Sequence, residues 1–380
     1  MKFTVQKSVL MNALTPAMGT VSNKNTITSI EGVLIETINE RIRLSTYDMN
    51  KGIRVTLEPT SIEEEGRYII NAQRFYQTVR ALPEDEITIE VSEKLNCTVS
   101  SGKASFSMFA TRGEDFPNLP ELSSDRKFKI SSATLKDIIG KVAHSVAVVS
   151  DNRVMLTGAY FNIGKEKTEV VSCDNYTLSK CEVKCDIDGD EDKYSFIIPG
   201  HALGELVKIL PDDEDYKCSF YLSRKHAIIV CDELIFFTRT IDSEYIDYNR
   251  IIPKDNDIFV TVDRERVLSG LERANIIAEE KIQGSGRSYV KIKAEEDFLT
   301  ITSTSVNGKV YDEMDCIHEG GDIEIGFNCR YLINSIRVAN GESIKISFKS
   351  PTHAITIEPA EKNEEFNYFY MVLPVRMNEQ

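Results

Sequence analysis

The stretch Ile69-Ile70-Asn71-Ala72-Gln73-Arg74-Phe75-Tyr76-Gln77-Thr78-Val79-Arg80-Ala81-Leu82-Pro83 reads as a short apolar strand that runs into a helix and stops at proline. The phrase returns as Ile197-Ile198-Pro199-Gly200-His201-Ala202-Leu203-Gly204-Glu205-Leu206-Val207-Lys208-Ile209-Leu210-Pro211. It returns again as Ile325-Gly326-Phe327-Asn328-Cys329-Arg330-Tyr331-Leu332-Ile333-Asn334-Ser335-Ile336-Arg337-Val338-Ala339-Asn340-Gly341. With Ile70, Ile198 and Phe327 as anchors, the spacings are 128 and 129 residues. A second element keeps the same frame. Phe3-Thr4-Val5, Phe128-Lys129-Ile130 and Phe259-Val260-Thr261-Val262 each precede a helical pattern, 125 and 131 residues apart. Such a period far exceeds that of a solenoid repeat, so each unit is a domain with its own core. Three copies of one domain point to a function built on assembly and symmetry.

Strands fill the space between helices. Ile87-Thr88-Ile89-Glu90-Val91 and Ile344-Lys345-Ile346-Ser347-Phe348 alternate at period two, and Lys217–Leu222 holds the matching place in the second unit. Each unit reads as two helices and about eight strands, an α+β fold with antiparallel sheets. Polar, Pro-containing stretches at 116–125 and 252–257 divide the chain into domains 1–124, 125–254 and 255–380. Pro16 removes a backbone donor, which predicts that the first helix ends there in a distorted turn.

Composition narrows the function classes. Of 380 residues 41% are hydrophobic, with no apolar run of 18, so no membrane helix is expected. The start Met1-Lys2-Phe3-Thr4-Val5 lacks a signal-peptide core, which predicts a cytoplasmic protein. Eight Cys are scattered without a disulfide framework, and Cys181 and Cys185 find no partners for a zinc site. The net charge of −15 argues superficially against nucleic acid, but its distribution does not. The six helical patterns (7–20, 72–82, 132–149, 200–210, 263–277 and 328–339) together carry +6, leaving −21 for the rest. Basic helices in an acidic chain fit one positive surface and one negative surface, or simply amphipathic helices with wet cations.

Catalytic patterns are missing. There is no phosphate loop, no Gly-x-Gly-x-x-Gly, no Gly-x-Ser-x-Gly elbow and no His-Glu-x-x-His. Gly284-Ser285-Gly286-Arg287 is too short, and the five His sit singly. Cys173-Asp174 leaves a thiol enzyme as a rival reading, with a multidomain scaffold that binds peptides as another. Three equal domains without a catalytic constellation favour a binding protein with no cofactor and no metal.

The C-terminal Tyr370-Met371-Val372-Leu373-Pro374-Val375-Arg376-Met377 resembles the Tyr-Val-Val-Met-Pro-Met-Arg-Leu type ending of the bacterial DNA polymerase III beta subunit, the replicative sliding clamp. Asp115-Phe116-Pro117-Asn118-Leu119 and Glu324-Ile325-Gly326-Phe327-Asn328 match that family's internal landmarks in one frame from residue 1 to 377. The resemblance implies a homodimer whose two chains close a six-domain ring around duplex DNA, helices inward. It implies service to the replicative DNA polymerase, the clamp loader and repair polymerases, with no membrane role.

Site residues follow from the resemblance. The DNA-facing bases are Lys24, Arg74, Arg80, Lys136, Lys141, Lys208, Arg264, Arg266, Arg273, Arg330 and Arg337. The dimer interface takes Phe106 and Met108, two apart on a strand, with Lys103 opposite Glu279 and Glu280, and Ile276 and Ile277 at a helix end. Those two isoleucines serve equally well as core of their own domain. A hydrophobic cleft for a Gln-Leu-x-Leu-Phe type peptide, between domains 2 and 3, takes Leu156, Cys173, Asn175, Tyr176, Thr177, Leu178, Ile246, Arg250, Ile251, Asn328, Tyr331, Met371, Val372, Leu373, Pro374, Val375, Arg376 and Met377. The family's Thr-Asp-Gly-His-Arg-Leu is here Cys173-Asp174-Asn175-Tyr176-Thr177-Leu178, which predicts an altered rim.

Overall fold

The structure, a computed structural model, describes residues 1–22, 28–83, 86–120, 126–148, 152–164, 167–184, 193–213, 215–223, 225–278, 289–361, 363 and 366–377. Lys24, Cys185, Glu279, Glu280 and the Gly284–Arg287 loop lie outside the described residues.

Six helices are described: α1 (Lys7–Ala17), α2 (Ala72–Ala81), α3 (Ser132–Val142), α4 (Gly200–Ile209), α5 (Arg264–Ala278) and α6 (Cys329–Arg337). Their starts are written locally. Asn71 Oδ1 accepts from Arg74 N at 3.0 Å, and Asn328 Oδ1 from Arg330 N at 3.1 Å. Asp263 Oδ1 and Ser131 Oγ cap α5 and α3 in the same manner. Pro16 sits in the last turn of α1, which passes into a 3₁₀ turn at Met18–Thr20, as predicted. By contrast α3 stops at Val142, short of the expected 149. A 3₁₀ turn follows at Ala143–Ser145, and Ala147 N then bonds Leu156 O at 2.9 Å, drawing the chain off the helical path.

Contacts divide the chain into two compact units, one built mainly on residues 1–136 and 201–240, the other on 137–186 and 241–380. The middle repeat contributes to both. In the first unit one antiparallel sheet of 13 strands runs through all of the strands of repeat 1 and four of repeat 2. In the second a nine-stranded sheet joins the other strands of repeat 2 to repeat 3, beside a four-stranded sheet.

The sheets obey a pairing rule. In repeat 1 the three strands Gly32–Ile38, Arg41–Tyr47 and Lys51–Leu57 form a meander. The third of them pairs with Leu234–Arg239, the last strand of repeat 2. In repeat 2 the equivalent meander is Gly158–Gly164, Thr168–Cys173 and Thr177–Val183. Its third strand pairs with Phe366–Val372, the last strand of repeat 3. In repeat 3 the equivalent third strand, Lys309–Asp315, has no further partner among the described residues. In repeat 1 the last strand, Ala104–Arg112, pairs with Asn96–Ser101 on one side. On its other side only Ala110–Arg112 are paired, with Tyr68–Ile70.

Helices cover the sheets with one face each. α2 buries Ala72, Phe75 and Val79, spaced i, i+3, i+7, and leaves Gln73, Arg74, Gln77 and Arg80 exposed. Burying a side chain such as Phe75 contributes about 1.5–3 kcal/mol. In repeat 3, Val267, Leu271 and Ala274 of α5 share a core with Leu332, Ile333 and Ile336 of α6, over Phe327 and Phe348.

Candidate functional site

An apolar cleft lies within the second unit. Leu156, Val171, Cys173, Leu178, Tyr248, Ala354 and Met371 are buried together as its floor. Met155, Tyr160, Tyr245, Ile246, Ile252, Phe369 and Leu373 are half-buried against them. A groove of about 680 Å³ opens here, walled by Asp247, Arg250, Ile251 and Ile252 on one side and by Thr352, His353 and Leu373 on the other. Arg250 is held by Asp247, Nε to Oδ2 at 2.8 Å, so the wall offers a paired guanidinium above apolar ground.

The C-terminal residues are fixed by two backbone bonds. Leu373 N donates to Tyr176 O at 2.8 Å and Val375 N to Gly326 O at 2.9 Å. A Cβ on Gly326 would stand 2.9 Å from Met377 Cγ, so this glycine lets the tail lie against the Ile323–Phe327 strand. Val372 is buried in the repeat 3 core, while Pro374, Val375 and Met377 are half-buried and Arg376 is exposed.

The turn at 173–178, expected to form the rim, departs from the family pattern in its residues and carries a left-handed residue. Asn175 sits at φ +83°, the left-handed region in which glycine is most at ease and asparagine is tolerated. Asp174 Oδ1 accepts from Tyr176 N at 3.0 Å, Thr177 N at 2.7 Å and Thr177 Oγ1 at 2.9 Å, which accounts for the buried Thr177. The exposed Tyr176 ring stacks on Tyr331 at 5.5 Å and 17°. Asn328, expected to line the cleft, spends its side-chain oxygen capping α6.

Sequence reading missed the supports beneath this wall. Tyr245 stacks on Tyr160 at 5.1 Å, and Tyr248 Oη donates to Glu169 Oε2 at 3.0 Å. Burial pushes the Glu169 carboxyl up, but bonds from Lys180 and Lys167 outweigh it and hold the group well below the usual range. The signal for the two tyrosines was the segment Tyr245-Ile246-Asp247-Tyr248; nothing marked Thr352 or His353. The Cys173 thiol, the candidate nucleophile of the enzyme reading, is pushed up by burial, opposite to the activation a catalytic thiolate needs. Among the described residues no group of three or more His, Cys, Asp or Glu could hold a metal ion.

The expected DNA-facing cations separate into three kinds. Arg74 and Arg80 are exposed on α2 and form no ion pair with a described residue. Several others face acids: Lys136 Asp212, Lys208 Glu205, Arg264 Glu265, Arg266 Asp315, Arg273 Asp312 and Arg337 Glu272. Arg330 is exposed on α6. Lys141 corrects the expectation. It is 3% exposed, its ammonium donates to Val338 O and Asn340 Oδ1, and it lies 5.0 Å from the Tyr368 ring centroid. The resemblance implied an ammonium facing DNA, but the segment just after α6 covers it.

At the open strand of repeat 1, Phe106 is 44% exposed and Met108 half-buried, and Lys103 is exposed in the preceding turn. Phe106 and Met108, with Arg74, Gln77, Thr78 and Ala81, line a recess of about 420 Å³. Phe109, overlooked in the sequence, is 82% exposed on the same recess. In repeat 3 Ile276 is 72% exposed, whereas Ile277 is half-buried toward the turn at Gly308.

Three tandem domains joined through shared antiparallel sheets define a three-domain clamp fold. Family models of the DNA polymerase III beta subunit match in chain order: the N-terminal domain over residues 1–120, the central domain over 129–247 and the C-terminal domain over 249–376. The chain is similar to the Beta sliding clamp of Bacillus subtilis, 28% identical over 388 residues that span 99% of this chain and 100% of that one. The crystal structure of the Bacillus subtilis sliding clamp matches with a TM-score of 0.92 at 26% identity, covering 100% of both chains. That of a putative DNA polymerase III beta subunit from Eubacterium rectale matches at 0.91 and 26%, covering 99% and 100%. The chain belongs to the DNA polymerase III beta subunit family, the sliding clamps of bacterial DNA replication. No described helix is long and apolar enough to cross a membrane.

Proposed function

We propose that two copies of this chain close head to tail into a six-domain ring around duplex DNA, and that the apolar cleft tethers partner proteins to it. The pairing rule carries the reading. The third meander strand of each repeat pairs with the last strand of the next, at both junctions inside the chain. The leftovers are Lys309–Asp315 of repeat 3 and Ala104–Phe109 of repeat 1, each with an open edge. Open edges are templates for pairing with another chain. Joining the third repeat of one copy to the first of another uses both and is heterologous, and such a contact gives a ring when its rotation closes after two copies.

Topological linkage then resolves a conflict in DNA binding. A protein that holds phosphates tightly cannot move, and one that holds them weakly dissociates. A closed ring stays on DNA with few, sequence-independent phosphate contacts, supplied here by the helix cations. The acidic remainder of the chain repels DNA elsewhere. The cleft's buried apolar floor supplies most of the affinity for a partner segment. The expected partners are the replicative polymerase, the clamp loader and repair polymerases.

Native mass in solution tests the closure. At micromolar concentration the parent is expected at twice the chain mass, and Phe106→Asp at the chain mass with unchanged far-UV circular dichroism. A monomeric parent, or a variant that remains dimeric, would remove the proposed interface.

A further inference from the structure

Two buried thiols meet in the first unit at a place no part of the clamp reading uses. Cys218 is the second residue of the strand Lys217–Leu222 and Cys231 ends its hairpin partner His226–Cys231. The register pairs Ser219 with Val230, which sets Cys218 directly across from Cys231. Ser223 N bonds His226 O at the turn. Hydrogen-bonded and non-hydrogen-bonded pairs alternate from there, so the two cysteines fall on a non-hydrogen-bonded pair, where side chains approach most closely. Their Sγ atoms are 2.9 Å apart, and the residues are 0% and 5% exposed.

We propose that Cys218 and Cys231 are an oxidative modification site that forms a reversible cross-strand disulfide on reaction with hydrogen peroxide. A disulfide needs the sulfurs to close by only about 0.9 Å. The pair also divides the protonation states. A hydrogen bond from Cys231 holds the Cys218 thiol below its ordinary range, while that same bond and burial push Cys231 up. Cys97 is a built-in contrast, buried with burial alone pushing its thiol up to about 12.

The chemistry balances without a further reductant or oxidant. One sulfur, as thiolate, attacks a peroxide oxygen; the S–O bond forms, the O–O bond breaks and hydroxide leaves, taking up a proton to give water. The second thiol attacks the resulting sulfenic sulfur; the S–S bond forms, the S–O bond breaks and a second water leaves. Two thiols are oxidised and one hydrogen peroxide becomes two waters. A reducing cytosol restores the thiols. The stapled hairpin leads directly into Leu234–Arg239, the strand that pairs with Lys51–Leu57 of repeat 1. Oxidation therefore fastens the sheet beside the junction of the first two repeats.

The test uses the full-length parent. It is dosed with hydrogen peroxide, quenched, unfolded, alkylated and mapped by peptide mass spectrometry. The expected product is a Cys218–Cys231 linked peptide pair, lighter by two hydrogens, lost on treatment with dithiothreitol, while Cys97 is alkylated in full. Amide exchange in 217–222 and 226–231 is expected to slow at least fivefold in the oxidised form. Full alkylation of Cys218 and Cys231 would overturn the proposal, as would direct conversion to sulfinic acid or linkage of Cys97 at the same dose. Cys218→Ser serves as control, leaving Cys231 unlinked.

Discussion

At the residue scale the account turns on a few side chains whose surroundings set their roles. Leu373 is half-buried on the cleft, and its backbone is fixed to Tyr176 O. Truncating it removes apolar contact without disturbing that bond. Leu373→Ala is expected to weaken a labelled Gln-Leu-x-Leu-Phe type peptide at least tenfold, about 1.4 kcal/mol, measured by fluorescence anisotropy; an unchanged affinity would remove Leu373 from the site. His144 makes a second case. Burial pushes its imidazole down to about 4, between the Ser179 and Ser335 hydroxyls and the Tyr370 ring. The folded chain refuses a proton that the unfolded chain accepts at its ordinary 6.5. Stability from this group is therefore present above pH 6.5 and lost as pH falls toward 4, by up to about 3 kcal/mol. Urea midpoints at pH 7 and pH 4.5 check this: a His144→Asn variant is expected to lose less stability than the parent over that interval.

Several residues were legible in the sequence and others were not, for physical reasons. The Gly-to-Asn difference at Asn175 announced an altered rim, and the left-handed backbone found there is one that asparagine tolerates. Lys141 departs from the DNA-facing set that the resemblance implies, because a position on a helix does not tell what a distant segment lays over it. Asn328 also caps α6 with its side-chain oxygen, a role that a residue's place in a binding motif does not reveal. Tyr245, Thr352 and His353 reach the cleft from irregular segments and Tyr248 from the 3₁₀ turn Tyr248–Arg250, where no helix or strand period marks a residue's role.

At the scale of elements, helix boundaries followed their caps and Pro16, and α3 fell furthest short of its pattern, because a backbone bond to Leu156 redirects the chain after Ser145. The helix faces are less uniform than formal charge implied. Among the described residues α2 presents Arg74 and Arg80 without acidic partners, whereas Arg273 of α5 and Arg337 of α6 face Asp312 and Glu272. An exposed pair of this kind cancels much of the cation's field while contributing little to stability. Replacing Arg74 and Arg80 by Ala is expected to lower the salt dependence of binding to linear duplex, the slope of log K against log salt falling by about 1–2. Arg273→Ala is expected to change it less. Equal effects in the two variants, by anisotropy titration across a salt series, would mean that the pairing does not matter.

At the scale of the whole molecule the repeat was the most legible feature, since a period near 128 residues is visible without any structure. How the repeats join was not legible. Strand pairing across repeats depends on which edges face one another, and no local pattern encodes that. The sheets show it: two of three possible junctions are made within the chain, and the strands for the third stay open. Ring closure is the central claim, and topology gives it a direct test. Protein loaded on nicked circular duplex should survive a high-salt wash that strips it from the same DNA once linearised, because a closed ring leaves only over an end. Equal loss from circular and linear DNA would show binding through phosphate contacts alone and would contradict the account.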